Sequence, residues 1–173
     1  MSSIPRNLAA CFIAAVCLLW LPAVSSGQAG CTLQHVGSQD VLHCPDDLTI
    51  TKEAGAEVTL EDRNGDGRPD AAKLESKAVL IDLPRPDNAT GFEVITPQAI
   101  AAVRGTRWAV DVAPGKTSVF VVSGSVGVHR PGDDATVVLG PGQGVDVEAD
   151  GTTLTVKRWP AKRVAALLAR LGQ

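Results

Sequence analysis

From residue 48 onward the chain is a succession of short β-rich runs, none longer than six residues, each closed by glycine, proline, asparagine or aspartate. The runs are 48–51, 57–60, 78–83, 92–95, 108–112, 118–122, 126–129, 136–139, 145–147 and 153–156. Alternating apolar positions broken at this spacing exclude long helices and point to a sandwich, a barrel or a short β-solenoid. The expected fold is therefore mainly β, a single domain built as a β-sandwich or short β-solenoid. Only the tail differs. Val164, Leu167, Leu168 and Leu171 fall at i, i+3, i+4 and i+7, with Pro160 placed as the first helical residue and Gly172 as the terminator. A helix this short is marginal alone, so its apolar stripe needs a surface: the open face of the β domain, a membrane surface or a partner protein.

The first 29 residues carry one charge, Arg6, then an apolar run over 8–21, Pro22, and small or polar residues ending in Gly27, Gln28 and Ala29. A spanning helix needs about 20 apolar residues, so this order reads as a cleaved signal peptide, with a mature chain starting near Gly30 and working in the periplasm or secreted. Export leaves two cysteines, Cys31 and Cys44, expected to form a disulfide. Cys31 is not read as a lipid-bearing cysteine, because Gln28 stands where such sites place an aliphatic residue. Between the cysteines, a turn at Gly37 and Ser38 fixes a hairpin register. Val36 faces Gln39, His35 faces Asp40, Leu33 faces Leu42 and Cys31 faces Cys44.

Charge limits the partners. The formal net charge is −3, which argues against a nucleic-acid binder. The basic residues Lys157, Arg158, Lys162, Arg163 and Arg170 lie in a tail without acids, so membrane-surface contact by the helix is one expectation. The segments expected are 1–29 signal peptide, 30–73 disulfide hairpin and acidic loop, 74–156 β domain, and 157–173 basic amphipathic helix.

Within 62–70, Asp62, Asn64, Asp66 and Asp70 place oxygen side chains at positions 1, 3, 5 and 9, with Gly67 at 6. With the Arg68 carbonyl, this spacing matches the first part of a calcium loop and resembles the short DxNGDGxxD loops of exported proteins. Lys73 occupies position 12, where an EF-hand has glutamate, so weak calcium binding is the expectation, against a polar turn. Asn88, Ala89 and Thr90 form an N-glycosylation sequon. His35, His43 and His129 accompany no nucleophile elbow, zinc-protease helix or phosphate loop. Asp133 and Asp134 sit in a Gly/Pro turn. No enzyme is expected.

One phrase carries a resemblance. Thr96 and Pro97, then Val103, Arg104, Gly105, Thr106, Arg107 and Trp108, lead into the 119–122 strand, a turn at Ser123, Gly124 and Ser125, and a turn at Gly140, Pro141, Gly142 and Gln143. Over 74–148 this resembles the FecR domain family. The family's members are transmembrane regulators whose periplasmic β domain receives a signal from an outer-membrane iron–siderophore receptor and whose cytoplasmic segment controls a sigma factor. Only residues 1–7 precede the apolar stretch here. The resemblance thus implies an exported sensing or binding module of the periplasm, with an envelope protein as partner, possible involvement in envelope signalling, and iron only through the family. The alternative is a structural envelope or matrix-associated β protein. From the residues themselves, Gly105 suits a bulge or bend. Trp108, Val110 and Val112 share one apolar face, and Arg104 and Arg107 are placed to pair with nearby acids or to meet an anion.

Overall fold

The computed structural model describes residues 30–84, 91–103 and 105–173. The signal-peptide reading of 1–29, the sequon at 88–90 and Arg104 lie outside the described residues.

The chain opens as expected. β1 (Thr32–Val36) and β2 (Gln39–His43) pair from Val36↔Gln39 to Thr32↔His43, with Gly37 at φ +62° in the turn. Cys31 and Cys44 close the hairpin as a disulfide with Cα atoms 4.1 Å apart, the short spacing of a pair that does not exchange main-chain hydrogen bonds. β2 then pairs with β3 (Thr49–Lys52), and β3 with β5 (Ala71–Leu83).

β5 organises the rest. It is 13 residues long, and its two ends join different neighbours. The first part pairs with β4 (Glu57–Glu61) and, in parallel, with β6 (Phe92–Ile95). The second part pairs with β3 and β8 (Thr106–Ala113). Between them Lys77 adopts φ +64°, a left-handed conformation uncommon for a side-chain-bearing residue, and donates from Nζ to the Ala54 carbonyl at 2.5 Å. The break turns one continuous sheet back on itself. Beyond β6 one half continues through β7 (Ile100–Val103), β10 (Val126–His129) and β11 (Val137–Leu139). Beyond β8 the other continues through β9 (Lys116–Ser123), β12 (Gln143–Glu148) and β13 (Lys157–Arg158).

Of the two β architectures expected, this is the sandwich-like one. A solenoid stacks parallel rungs, whereas here β5 with β6 is the one parallel pair among the described strands. The main core lies between the facing halves and includes Ile50, Leu74, Ile81, Val94, Trp108, Val110, Val119, Val126 and Leu139. Phe92 meets Trp108 edge-on across it, with ring centroids 6.3 Å apart.

A second, smaller cluster sits on the outer face of the β8–β9 half. Strand alternation puts Ala78, Leu80, Ala109 and Phe120 there, and α1 (Ala161–Arg170) covers them with Leu167, while Leu171 follows just past its end. The alanines keep that face shallow enough for a helix. Trp159 stacks on Phe120 at 5.1 Å and lies against Gly144, where any Cβ would fall 2.4 Å from its ring.

Three local expectations need correction, and one strand is additional to them. Pro160 is the N-cap rather than the first helical residue. The 153–156 run forms no strand; Leu154 and Val156 still pack against the core, and the pairing falls at 157–158 instead. β7, with its small Ala101 and Ala102, carries a weak strand signal and lies outside the expected runs. The boundary drawn between 73 and 74 falls inside β5.

Candidate functional site

Thr96 and Pro97 begin the turn from β6 to β7. Proline fixes φ at the second turn position, and the Thr96 side chain closes the loop. Its Oγ1 donates to the Ala99 carbonyl at 2.8 Å and accepts the Ala99 N–H at 2.9 Å. The same hydroxyl lies 2.9 Å from the Thr117 hydroxyl on β9, and Thr117 donates to Gln98 Oε1 at 2.9 Å. The turn of one half is thereby tied to a strand of the other, within buried surroundings.

Gly105 and Thr106 stand at the other end of β7, where the chain crosses from one half to the other. Gly105 has φ +58°. Thr106 Oγ1 donates to the Ser125 carbonyl at 3.0 Å and accepts the Ser125 N–H at 3.2 Å, which stitches this corner to the β9–β10 turn. Gly124 in that turn has φ +86°, and a Cβ there would fall 2.6 Å from Thr106 Oγ1. A register shift follows between Arg107 and Trp108. Arg107 approaches Asp82 at 3.7 Å and also bonds to the Gln173 side chain. The phrase from Thr96 to Thr106 is therefore two fasteners at opposite ends of one strand, and its described polar groups are bonded within the fold.

The acidic loop lies between β4 and β5. Asp62 accepts the Gly65 N–H at 2.8 Å on one oxygen and the Gly67 N–H at 2.8 Å on the other. Asn64 accepts the Asp66 N–H at 2.9 Å, Asp66 the Arg68 N–H at 2.9 Å, and Asp70 the Arg63 N–H at 2.8 Å. Arg68 itself pairs with Asp46 at 2.9 Å. Lys73 is engaged by Glu61; the hydrogen bond from Lys73 and the one from Arg63 hold the Glu61 carboxyl below the usual range against a burial effect of opposite sign. Among the described residues, no group of three or more His, Cys, Asp or Glu side chains is disposed to hold a metal ion.

The tail contributes further ion pairs. Arg170 bonds to Glu53 at 2.6 Å and to Asp111 at 2.9 Å. Its hydrogen bonds hold the Glu53 carboxyl below the usual range, although burial acts the other way; the two acids in turn raise the Arg170 guanidinium. The guanidinium carbon of Arg163 sits over the Trp159 ring, 3.4 Å from its centroid, and Arg163 pairs with Asp146. Burial of Asp146 favours its neutral form, but Arg163 and the Ser118 hydroxyl outweigh that and leave its carboxyl lowered. Among the described residues, no helix is long and apolar enough to cross a membrane.

Beside this latch a groove of about 480 Å³ runs between β12 and the 152–157 segment. Asp146, Glu148, Thr153, Thr155, Lys157 and Trp159 line it. It arises because β12 meets the returning chain only at Gln143↔Arg158 and Gly144↔Lys157. Beyond those pairs the returning chain bows away. The groove offers carboxylates, hydroxyls, an ammonium and main-chain groups, which suits a polar extended ligand better than an apolar one. No sequence signal marks it, since a polar gap beside a strand leaves no periodic trace.

The model of the FecR protein family matches residues 35–127, beginning well before the 74–148 stretch that carries the resemblance. No curated protein matches the chain in sequence. Two crystal structures of a candidate anti-sigma factor from Parabacteroides distasonis share the fold, at 1.65 and 2.50 Å resolution. Each aligns with a TM-score of 0.61 and 23% identity, over 79% and 80% of this chain respectively. The chain spans 64% of the length of that protein, and the likeness at this identity speaks to the fold alone.

Proposed function

The chain belongs to the FecR protein family, and we propose that it acts as an exported sensing or binding module that takes part in envelope signalling by holding a partner protein. The observation that carries this reading is the family match across 35–127, which covers both halves of the curled sheet. The periplasm is the compartment proposed, and a non-enzymatic role follows from the family's regulatory character. The disulfide between Cys31 and Cys44 suits an oxidising compartment. The groove beside β12 is the surface best suited to the contact, since a strand edge with charges of both signs near it recognises extended main chain.

Affinity capture from envelope extract with the tagged full chain tests the proposal. An outer-membrane receptor or an inner-membrane signalling protein is the expected catch, reduced by Glu148→Lys in the groove. Recovery of wall or matrix material alone would favour the structural reading.

A further inference from the structure

We propose that the free edge of β1 pairs antiparallel with β1 of a second copy of this chain, about a twofold axis at Gln34. All five residues of β1 are exposed, with Leu33 51% and Val36 58% accessible. The strand thus adds nothing to the core. It is nonetheless tied to β2 by the Cys31–Cys44 disulfide and by His35 Nδ1 bonded to Asp40 at 2.6 Å. The FecR match begins at His35, so most of β1 lies outside the matched segment.

Four described strands pair on one side only: β1, β4, β11 and β13. Self-pairing sets a strand against its own sequence, so any net charge on it repels itself. β4 carries Glu57 and Glu61, and β13 consists of Lys157 and Arg158. β11 is three residues long. β1, reading Thr-Leu-Gln-His-Val, has no lysine, arginine, acid, proline or glycine to blunt its edge.

The hydrogen-bond phase also fits. In a two-residue hairpin the pair flanking the turn is bonded and pairs alternate outward. Val36, Gln34 and Thr32 therefore bond to β2, while His35 and Leu33 turn their N–H and C=O groups outward. With Gln34 facing Gln34 of the second copy, Leu33 faces His35 and His35 faces Leu33. Each outward N–H then meets an outward C=O. A five-residue edge falls at the small end of interfaces, below the roughly 1,200 Å² of a standard stable one. The dimer is therefore weak and rises with concentration.

Sedimentation velocity over a concentration series, on protein isolated from cells expressing the full chain, is expected to show the mass doubling reversibly. Leu33→Pro removes an outward N–H without touching a β1–β2 bond, and should stay monomeric with unchanged circular dichroism and melting. Leu33→Lys, a second variant should proline perturb the hairpin, should lose the dimer at low salt and regain part of it at high salt. Gln34→Cys should yield a disulfide-linked dimer bridged at position 34. A wild-type chain monomeric at every concentration overturns the proposal, as does an undiminished dimer in a natively folded Leu33→Pro. Stoichiometric capture of a different protein, released by Leu33→Pro, also overturns it and assigns the edge to that partner.

Discussion

Gly124 illustrates how a single position in this fold is fixed by its neighbours. Its φ of +86° disfavours a side chain, and a Cβ would meet Thr106 Oγ1 at 2.6 Å and the Gly105 carbonyl at 2.7 Å. Gly124→Ala is expected to destabilise by about 2–3 kcal/mol, from backbone strain together with overpacking, as read by chemical denaturation. Asp62 and Asp66 present a different balance. Their oxygens serve loop amides, yet the spacing of Asp62, Asn64, Asp66 and Asp70 still supports weak calcium binding as a proposal, at about 10⁻⁴ to 10⁻³ M by analogy with extracellular modules. Millimolar calcium should raise the melting midpoint relative to chelator, magnesium should do less, and Asp66→Ala should erase the difference. Equal midpoints would identify a self-bonded turn.

At the scale of elements, α1 is the piece whose role the surrounding sheet decides. Leu167 is 4% exposed, so Leu167→Asp places a charge in an apolar contact and should cost about 3 kcal/mol or more; an unchanged midpoint would mean that the helix is not needed to cover the sheet. Arg170 adds a pH signature. Glu53 titrates below its ordinary value because Arg170 bonds to it, so the stabilisation is full above the ordinary glutamate value, about 4.3. It is lost as pH falls through the lower folded value. Arg170→Gln should therefore be less stable than wild type at neutral pH, with the gap narrowing in acid. The Arg170 side chain is 41% exposed, so salt should shrink the gap as well. Melts at pH 7 and in the acid range, at two salt concentrations, check both statements.

The whole molecule folds as one piece because β5 belongs to both halves of the sheet. Among the described strands, β3 and β4 join the ladders of the two halves only through β5, and α1 covers a face to which β5 contributes Ala78 and Leu80. A fragment of 74–156 starts inside β5 and omits β3, β4 and the helix. It should show poorly dispersed amide resonances, while 30–173 should fold cooperatively; a well-dispersed spectrum from the fragment would mean that the FecR-like portion is autonomous.

Much was legible in the chain because it depends on neighbours close in sequence. The β1–β2 register follows from the turn at Gly37 and Ser38, the disulfide from that register, and the α1 stripe from its period. The family was legible too, through a phrase whose threonines and glycines shape turns. Tertiary structure decided the rest. β7 is a strand because β6 and β10 flank it, despite small residues of weak β preference. The 153–156 run has a strand's alternation but no ladder, since Leu154 and Val156 follow the core away from β12. Local pattern sets which face of a segment is apolar; only the meeting of distant segments decides which main-chain edges are paired, and so where a partner can dock.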